Sequence, residues 1–128
     1  MAKILVAEDE RDILELITFT LQFASHHVIA AENGEQALEL VHQELPDLVL
    51  LDARMPRLSG YEVCRQLKSN PATKEIPVVF LSAKGQESEI KAGLESGAVE
   101  YLVKPFSPDE LIHNLEDILA GKRGKRPD

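Results

Sequence analysis

Glu8 and Asp9, Asp52, Ser82 and Lys104 each stand where a short apolar run gives out. Three carboxylates brought together would ionise near their reference values of roughly 4 unless they met one another. At an effective dielectric of about 20, like charges about 4 Å apart repel by about 4 kcal/mol, so such a cluster calls for a cation. Magnesium suits it: a hard ion bound by one or two carboxylates, by water and by a phosphate oxygen. Asp52 then serves as ligand and nucleophile at once, because carboxylates form acyl phosphates. Three carboxylates and one lysine leave a double negative charge that magnesium balances. A phosphoryl group adds roughly 1.5 to 2 negative charges, which the metal on the Glu8–Asp9 side and Lys104 on the other are placed to offset. Ser82 can donate its hydroxyl to the new phosphoryl oxygens.

These residues must be positioned by the elements before them. Ile4–Ala7 leads into a helical pattern through Ile13, Ile17 and Leu21, and His27–Ala31 precedes one carrying Ala37, Leu38 and Val41. Leu48–Leu51 is followed by Val63, Cys64 and Leu67, Val78–Leu81 by a helix near Glu87–Glu95, and Tyr101–Val103 by Leu111, Ile112, Leu115 and Leu119. Five βα units result. Runs such as Leu48-Val49-Leu50-Leu51 are apolar on both faces, so the sheet is parallel with helices on either side. In open parallel sheets ligands bind beyond the carboxyl ends of the strands. The second strand ends in Ala30-Ala31 and offers nothing ionic, which fits an edge position in the order 2-1-3-4-5, a flavodoxin-like three-layer (βα)5 sandwich.

Helix starts carry their own marks. Ser59 with Glu62 and Ser107 with Glu110 match a capping box, Pro108 takes the first helical position, and Asn33 with Gln36 is a looser example. Pro46 and Pro77 sit at strand beginnings, where a missing amide is tolerated.

A length of 128 residues and 44% hydrophobic content describe one ordinary globular core. Residues 1–120 form the domain and 121–128 a basic tail or linker stub, with Lys122, Arg123, Lys125 and Arg126 in it. The formal charge of -8 makes the body acidic, which argues against nucleic acid as a partner of the domain. Cys64 is the only cysteine, which excludes an internal disulfide and suits a reducing compartment. No run approaches about 18 apolar residues, so no membrane contact is expected and a cytoplasmic location is. Cys64 lies on an apolar helical stripe and reads as core packing, whereas His26, His27, His42 and His113 show no ligand spacing and read as surface residues.

The pair Glu8-Asp9, the run Leu50-Leu51-Asp52-Ala53-Arg54-Met55-Pro56 with Gly60, the segment Leu81-Ser82-Ala83, and Gly97-Ala98 through Tyr101-Leu102-Val103-Lys104-Pro105-Phe106 occur in order. Together they resemble a bacterial response-regulator receiver domain, of the stand-alone, chemotaxis-regulator-like kind, over residues 3 to about 120. The resemblance implies a two-component signalling switch in which Asp52 accepts phosphate from a phosphohistidine on a sensor histidine kinase or phosphotransfer protein. It implies magnesium held by Asp9, Asp52 and the main-chain carbonyl of Arg54. It also implies that the Ser82 hydroxyl is drawn toward the phosphate, that Tyr101 turns inward, and that the Lys104–Pro105 bond is cis. The face of the fourth helix, fifth strand and fifth helix is then remodelled for a downstream protein target. Such a domain is not an enzyme beyond weak self-phosphorylation and self-dephosphorylation, and is a monomer or a weak phosphorylation-dependent dimer.

Many members carry Asp-Asp where this chain has Glu8-Asp9, so Glu8 sits either on the metal or on a water bound to it. Arg54 and Lys84, two residues beyond Asp52 and Ser82, are expected to shield the phosphoaspartate from water. The rival reading is a haloacid-dehalogenase-type phosphatase, whose hallmark is Asp-x-Asp. Here Arg54 replaces the second acid and cannot act as general acid and base. A flavodoxin-type mononucleotide binder is opposed by Glu8-Asp9-Glu10, which would repel a phosphate after the first strand. The chain begins with Met1 and carries no tag, which favours a complete stand-alone protein.

Overall fold

The structure is a computed structural model that describes residues 2–82, 87–104 and 106–121. Lys84, Pro105 with its peptide bond to Lys104, and the basic tail from 122 onward lie outside the described residues. The chain alternates strand and helix throughout: β1 (Lys3–Ala7), α1 (Arg11–Phe23), β2 (His27–Ala31), α2 (Gly34–Glu44), β3 (Leu48–Asp52), α3 (Gly60–Lys68), β4 (Val78–Ser82), α4 (Glu87–Glu95), β5 (Glu100–Val103) and α5 (Pro108–Leu119). All strand pairings are parallel, in the order β2-β1-β3-β4-β5. This is the flavodoxin-like order expected from the ionic poverty of β2.

Alternation along each strand builds two cores, since successive side chains point to opposite faces. Leu5, Val49, Leu51, Val78 and Phe80 face one way and bury Val41, Val63, Cys64 and Leu67 of α2 and α3. Ile4, Val6, Leu48, Leu50, Val79 and Leu81 face the other and bury Leu14, Ile17 and Leu21 of α1 with Leu111, Leu115 and Ile118 of α5. Each fully buried Leu or Ile contributes about 1.5–3 kcal/mol, so the three central strands are the rigid part. Among the described side chains of α4 only Gly93 is buried. A Cβ there would lie 2.8 Å from the Tyr101 ring and 3.0 Å from the Phe80 ring, so the missing side chain is what lets α4 approach the sheet.

The caps follow the sequence reading in part. Ser107 and Glu110 form the full reciprocal box, with Pro108 opening α5. Ser59 Oγ accepts from Glu62 N at 3.2 Å, but the Glu62 carboxylate turns to Arg65 at 2.7 Å, so this box is half made. Asn33 Oδ1 accepts from Gln36 N at 2.8 Å, while the Gln36 side chain reaches back to Glu32 N at 2.7 Å.

One histidine departs from expectation. His26 is 9% exposed, its Nδ1 accepting from Ala2 N at 3.1 Å and its Nε2 lying 3.2 Å from Glu116 Oε2. It joins the chain start to α5 and is not a surface residue. Cys64 is fully buried, as expected, and burial raises its thiol pKa.

Candidate functional site

The strand order reverses between β1 and β3, and such a reversal opens a crevice at the carboxyl ends of the two strands. Glu8 and Asp9 follow β1, and Asp52 is the last residue of β3. The crevice is therefore acidic on both sides. One carboxylate oxygen from each of Glu8, Asp9 and Asp52 lies within 4.8 Å of the others. Glu8 is fully buried and Asp52 is 6% exposed, while Asp9 is open to solvent.

Local backbone holds Asp52 in place. Ala53 N donates to Leu81 O at 2.9 Å, and Gly60 N donates to Ala53 O at 3.1 Å. The first residue of α3 thus packs directly under the acidic residue, and a Cβ on Gly60 would overlap the Asp52 carbonyl oxygen. Between them Leu58 N donates to Pro56 O at 2.8 Å, closing a tight turn about Arg57, whose φ of 72° is left-handed.

Lys104 enters from β5. Its main-chain N–H donates to Ser82 O at 2.7 Å, and its ammonium donates to Glu8 Oε1 at 2.8 Å with 14% of the side chain exposed. Lys104 was expected on the opposite side of Asp52 from Glu8; it reaches across and pairs with Glu8. The other Glu8 oxygen accepts from Glu10 N at 3.2 Å. Burial, then the hydrogen bond and charge of Glu8, push the Asp52 carboxyl from 3.8 up to about 8, against the opposing pull of Lys104 and the Arg54 main-chain N–H. Crowded, desolvated hard oxygens of this kind are a donor set for a divalent cation of the magnesium class.

Ser82 ends β4 at 2% exposure, one strand over from Asp52. Tyr101 is 8% exposed, its ring 6.1 Å from Phe80, which in turn lies 5.1 Å from Tyr61. The Tyr101 ring is thus packed inside, beside Phe80. The Tyr61 hydroxyl is raised in pKa, first by burial and then by its hydrogen bond with Tyr101.

Arg54 is divided between two partners. Its main-chain N–H lies 3.3 Å from Asp52 Oδ1, while its guanidinium leaves the crevice and meets Glu89 Oε1 at 2.8 Å through Nη2 and 3.3 Å through Nε. The sequence reading missed Glu89; its only signal there is an acid in the first turn of the fourth helical pattern.

A family model described as "Response regulator receiver domain" matches residues 4–116. The chain is 43% identical to the phosphate regulon transcriptional regulatory protein PhoB of Pseudomonas aeruginosa, over 91% of this chain and 51% of that protein. It thus spans about half the length of this curated relative. Among solved structures, the chemotaxis response regulator CheY4 of Vibrio cholerae superposes with a TM-score of 0.87 at 30% identity, covering 92% of this chain and 98% of that one. The receiver domain of the sensor histidine kinase PA1611 from P. aeruginosa, solved with a magnesium ion coordinated in its active site cleft, gives 0.87 at 27% identity over 93% and 98%.

Proposed function

The chain belongs to the response regulator receiver domain family, and on that premise we propose that Asp52 is its phosphoacceptor, charged by a phosphohistidine of a sensor histidine kinase or phosphotransfer protein. The observation that carries the reading is the convergence of Glu8, Asp9 and Asp52 within 4.8 Å at the β1/β3 crevice. A receiver domain is a signalling element, and the family match disfavours the phosphatase alternative.

In the proposed step an Asp52 carboxylate oxygen attacks phosphorus, the P–O bond forms as the P–N bond breaks, and the imidazole nitrogen leaves with the electron pair. A magnesium ion held there would supply the positive charge that keeps Asp52 ionised and offsets the incoming phosphoryl charge. Its ligands are assigned to Asp9, Asp52 and the Arg54 main-chain carbonyl, with Glu8 on the metal or on a water. Lys104 moves between Glu8 and the incoming phosphoryl oxygens as an electrostatic clamp, and Ser82 donates its hydroxyl to the same oxygens. Tyr101 then carries the state of Ser82 to the face of α4, β5 and α5, where a downstream protein target reads it. Residues 1–120 are the receiver unit and 121–128 a tail or linker. The unit works in the cytoplasm as a monomer or a weak phosphorylation-dependent dimer, without contacting nucleic acid itself. Among the described residues no helix is long and apolar enough to cross a membrane.

The test is intact mass after incubation with acetyl phosphate and magnesium. Wild type should gain a phosphoryl mass and Asp52→Asn should not; a wild type that gains none overturns the assignment.

A further inference from the structure

Arg54 joins the phosphoacceptor to α4 in a way the proposed chemistry does not use. Its main-chain N–H touches Asp52, so its side chain starts within reach of anything built on that carboxylate. Yet the guanidinium, 61% exposed, is spent on Glu89. The Glu89 side chain is 13% exposed, and its second oxygen, Oε2, is buried with no hydrogen-bond partner among the described residues. Glu89 is therefore a largely buried carboxylate whose one cationic partner among the described residues is Arg54.

A buried charge whose partner is removed is strongly destabilising, and the structure answers by exposing it. Here the structure can answer easily. Each of α1, α2, α3 and α5 buries two or more apolar side chains, whereas among the described side chains of α4 only Gly93 is buried. The other ties of its first turns among the described residues are a long contact from the Tyr61 hydroxyl to Glu89 O at 3.5 Å and the partial packing of Ile90 against the core.

A phosphoryl group competes with a carboxylate for a guanidinium, because it carries roughly 1.5 to 2 negative charges against one and can match its bidentate geometry. We propose that a phosphoryl group on Asp52 and the Glu89 carboxylate compete for the Arg54 guanidinium, so that loading Asp52 unlatches the first turn of α4. Glu89 is on this account a positioning residue, acting through Arg54. The inference rests on the assignment of Asp52 as phosphoacceptor.

Hydrogen exchange of the α4 amides, with and without acetyl phosphate and magnesium, tests it. Intact mass on the same samples reports loading. In wild type, loading should speed exchange in residues 87–95 by roughly threefold to tenfold. Arg54→Ala, which strands the Glu89 carboxylate, should exchange at the faster rate before loading and gain little after it, whereas Glu89→Gln, with no charge to strand, should keep the slow rate before and after loading. Arg54→Ala excludes a simple loss of acidic charge at the helix start, since it leaves Glu89 in place. Full loading with α4 unchanged in wild type, or with a wild-type response in Glu89→Gln, overturns the competition and leaves the phosphoacceptor standing. Absence of loading removes both.

Discussion

Lys104 Nζ lies 2.8 Å from Glu8 Oε1, joining the residues that follow the first and fifth strands across the carboxyl end of the sheet. Both side chains are largely out of water, so each depends on the other. Removing one partner of a buried pair leaves an uncompensated charge, whereas removing both need not. Lys104→Met and Glu8→Gln should each lower the urea midpoint, and the double variant should lose clearly less than their sum, with a coupling of about 1–3 kcal/mol. Additive losses would show that the pair contributes nothing as a pair.

Stability should depend on pH through Asp52. Its carboxyl holds a proton up to about 8 in the folded protein, against a usual 3.8. Between those values the folded state binds the extra proton, so stability falls as pH rises. In chelator, the melting temperature of wild type should drop across this window, and that of Asp52→Asn should drop less. Magnesium binds the ionised form, so its stabilising effect should be larger at pH 8 than at pH 5. An equal effect at both would contradict the assigned cause.

Gly60→Ala should damage the site from below. The added Cβ meets the Asp52 carbonyl oxygen, a backbone atom that cannot swing aside. Overpacking of this kind costs about 1–3 kcal/mol. Thermal unfolding should register that loss, and phosphoryl uptake should fall with it. Unchanged uptake would mean that β3 absorbs the shift without moving Asp52.

The lifetime of the phosphoaspartate should respond in opposite directions to the two ends of the Arg54–Glu89 pair. Arg54→Ala removes the cation that screens the acyl phosphate and should shorten its life severalfold. Glu89→Gln frees the same cation for the phosphoryl group and should lengthen it. Decay of the loaded form after removal of acetyl phosphate measures both. Equal decay in wild type and both variants would sink the shielding role.

Much of this arrangement could be read before any coordinates. Leu48–Leu51, apolar on both faces, announces a central parallel strand, and an Ala30-Ala31 end without a charge of its own fits β2 at an edge. What escaped were the choices among partners. Lys104 and Glu8 stand 96 positions apart, and nothing in their types distinguishes a pairing with Glu8 from one with Asp52. Glu89 is one acid among many on an acidic surface, and only the approach of α4 to the β3–α3 loop singles it out. His26 has neighbours, the Ala2 amide and Glu116, that leave no periodic trace. Glu62 kept the spacing of a capping box and still turned to Arg65, because an i,i+3 cation was as near as its own cap.

Gly93 gives α4 a bearing surface, beside which the partly buried Ile90 is a shallow anchor. Most helices cannot tilt without dragging a side chain out of its socket and leaving a void behind. At Gly93 there is no side chain to withdraw: bare backbone lies against the rings of Tyr101 and Phe80. Rocking of α4 therefore need not cross the barrier that a buried leucine would raise. Gly93→Ala would do more than crowd the rings, since it would turn a sliding contact into a wedge.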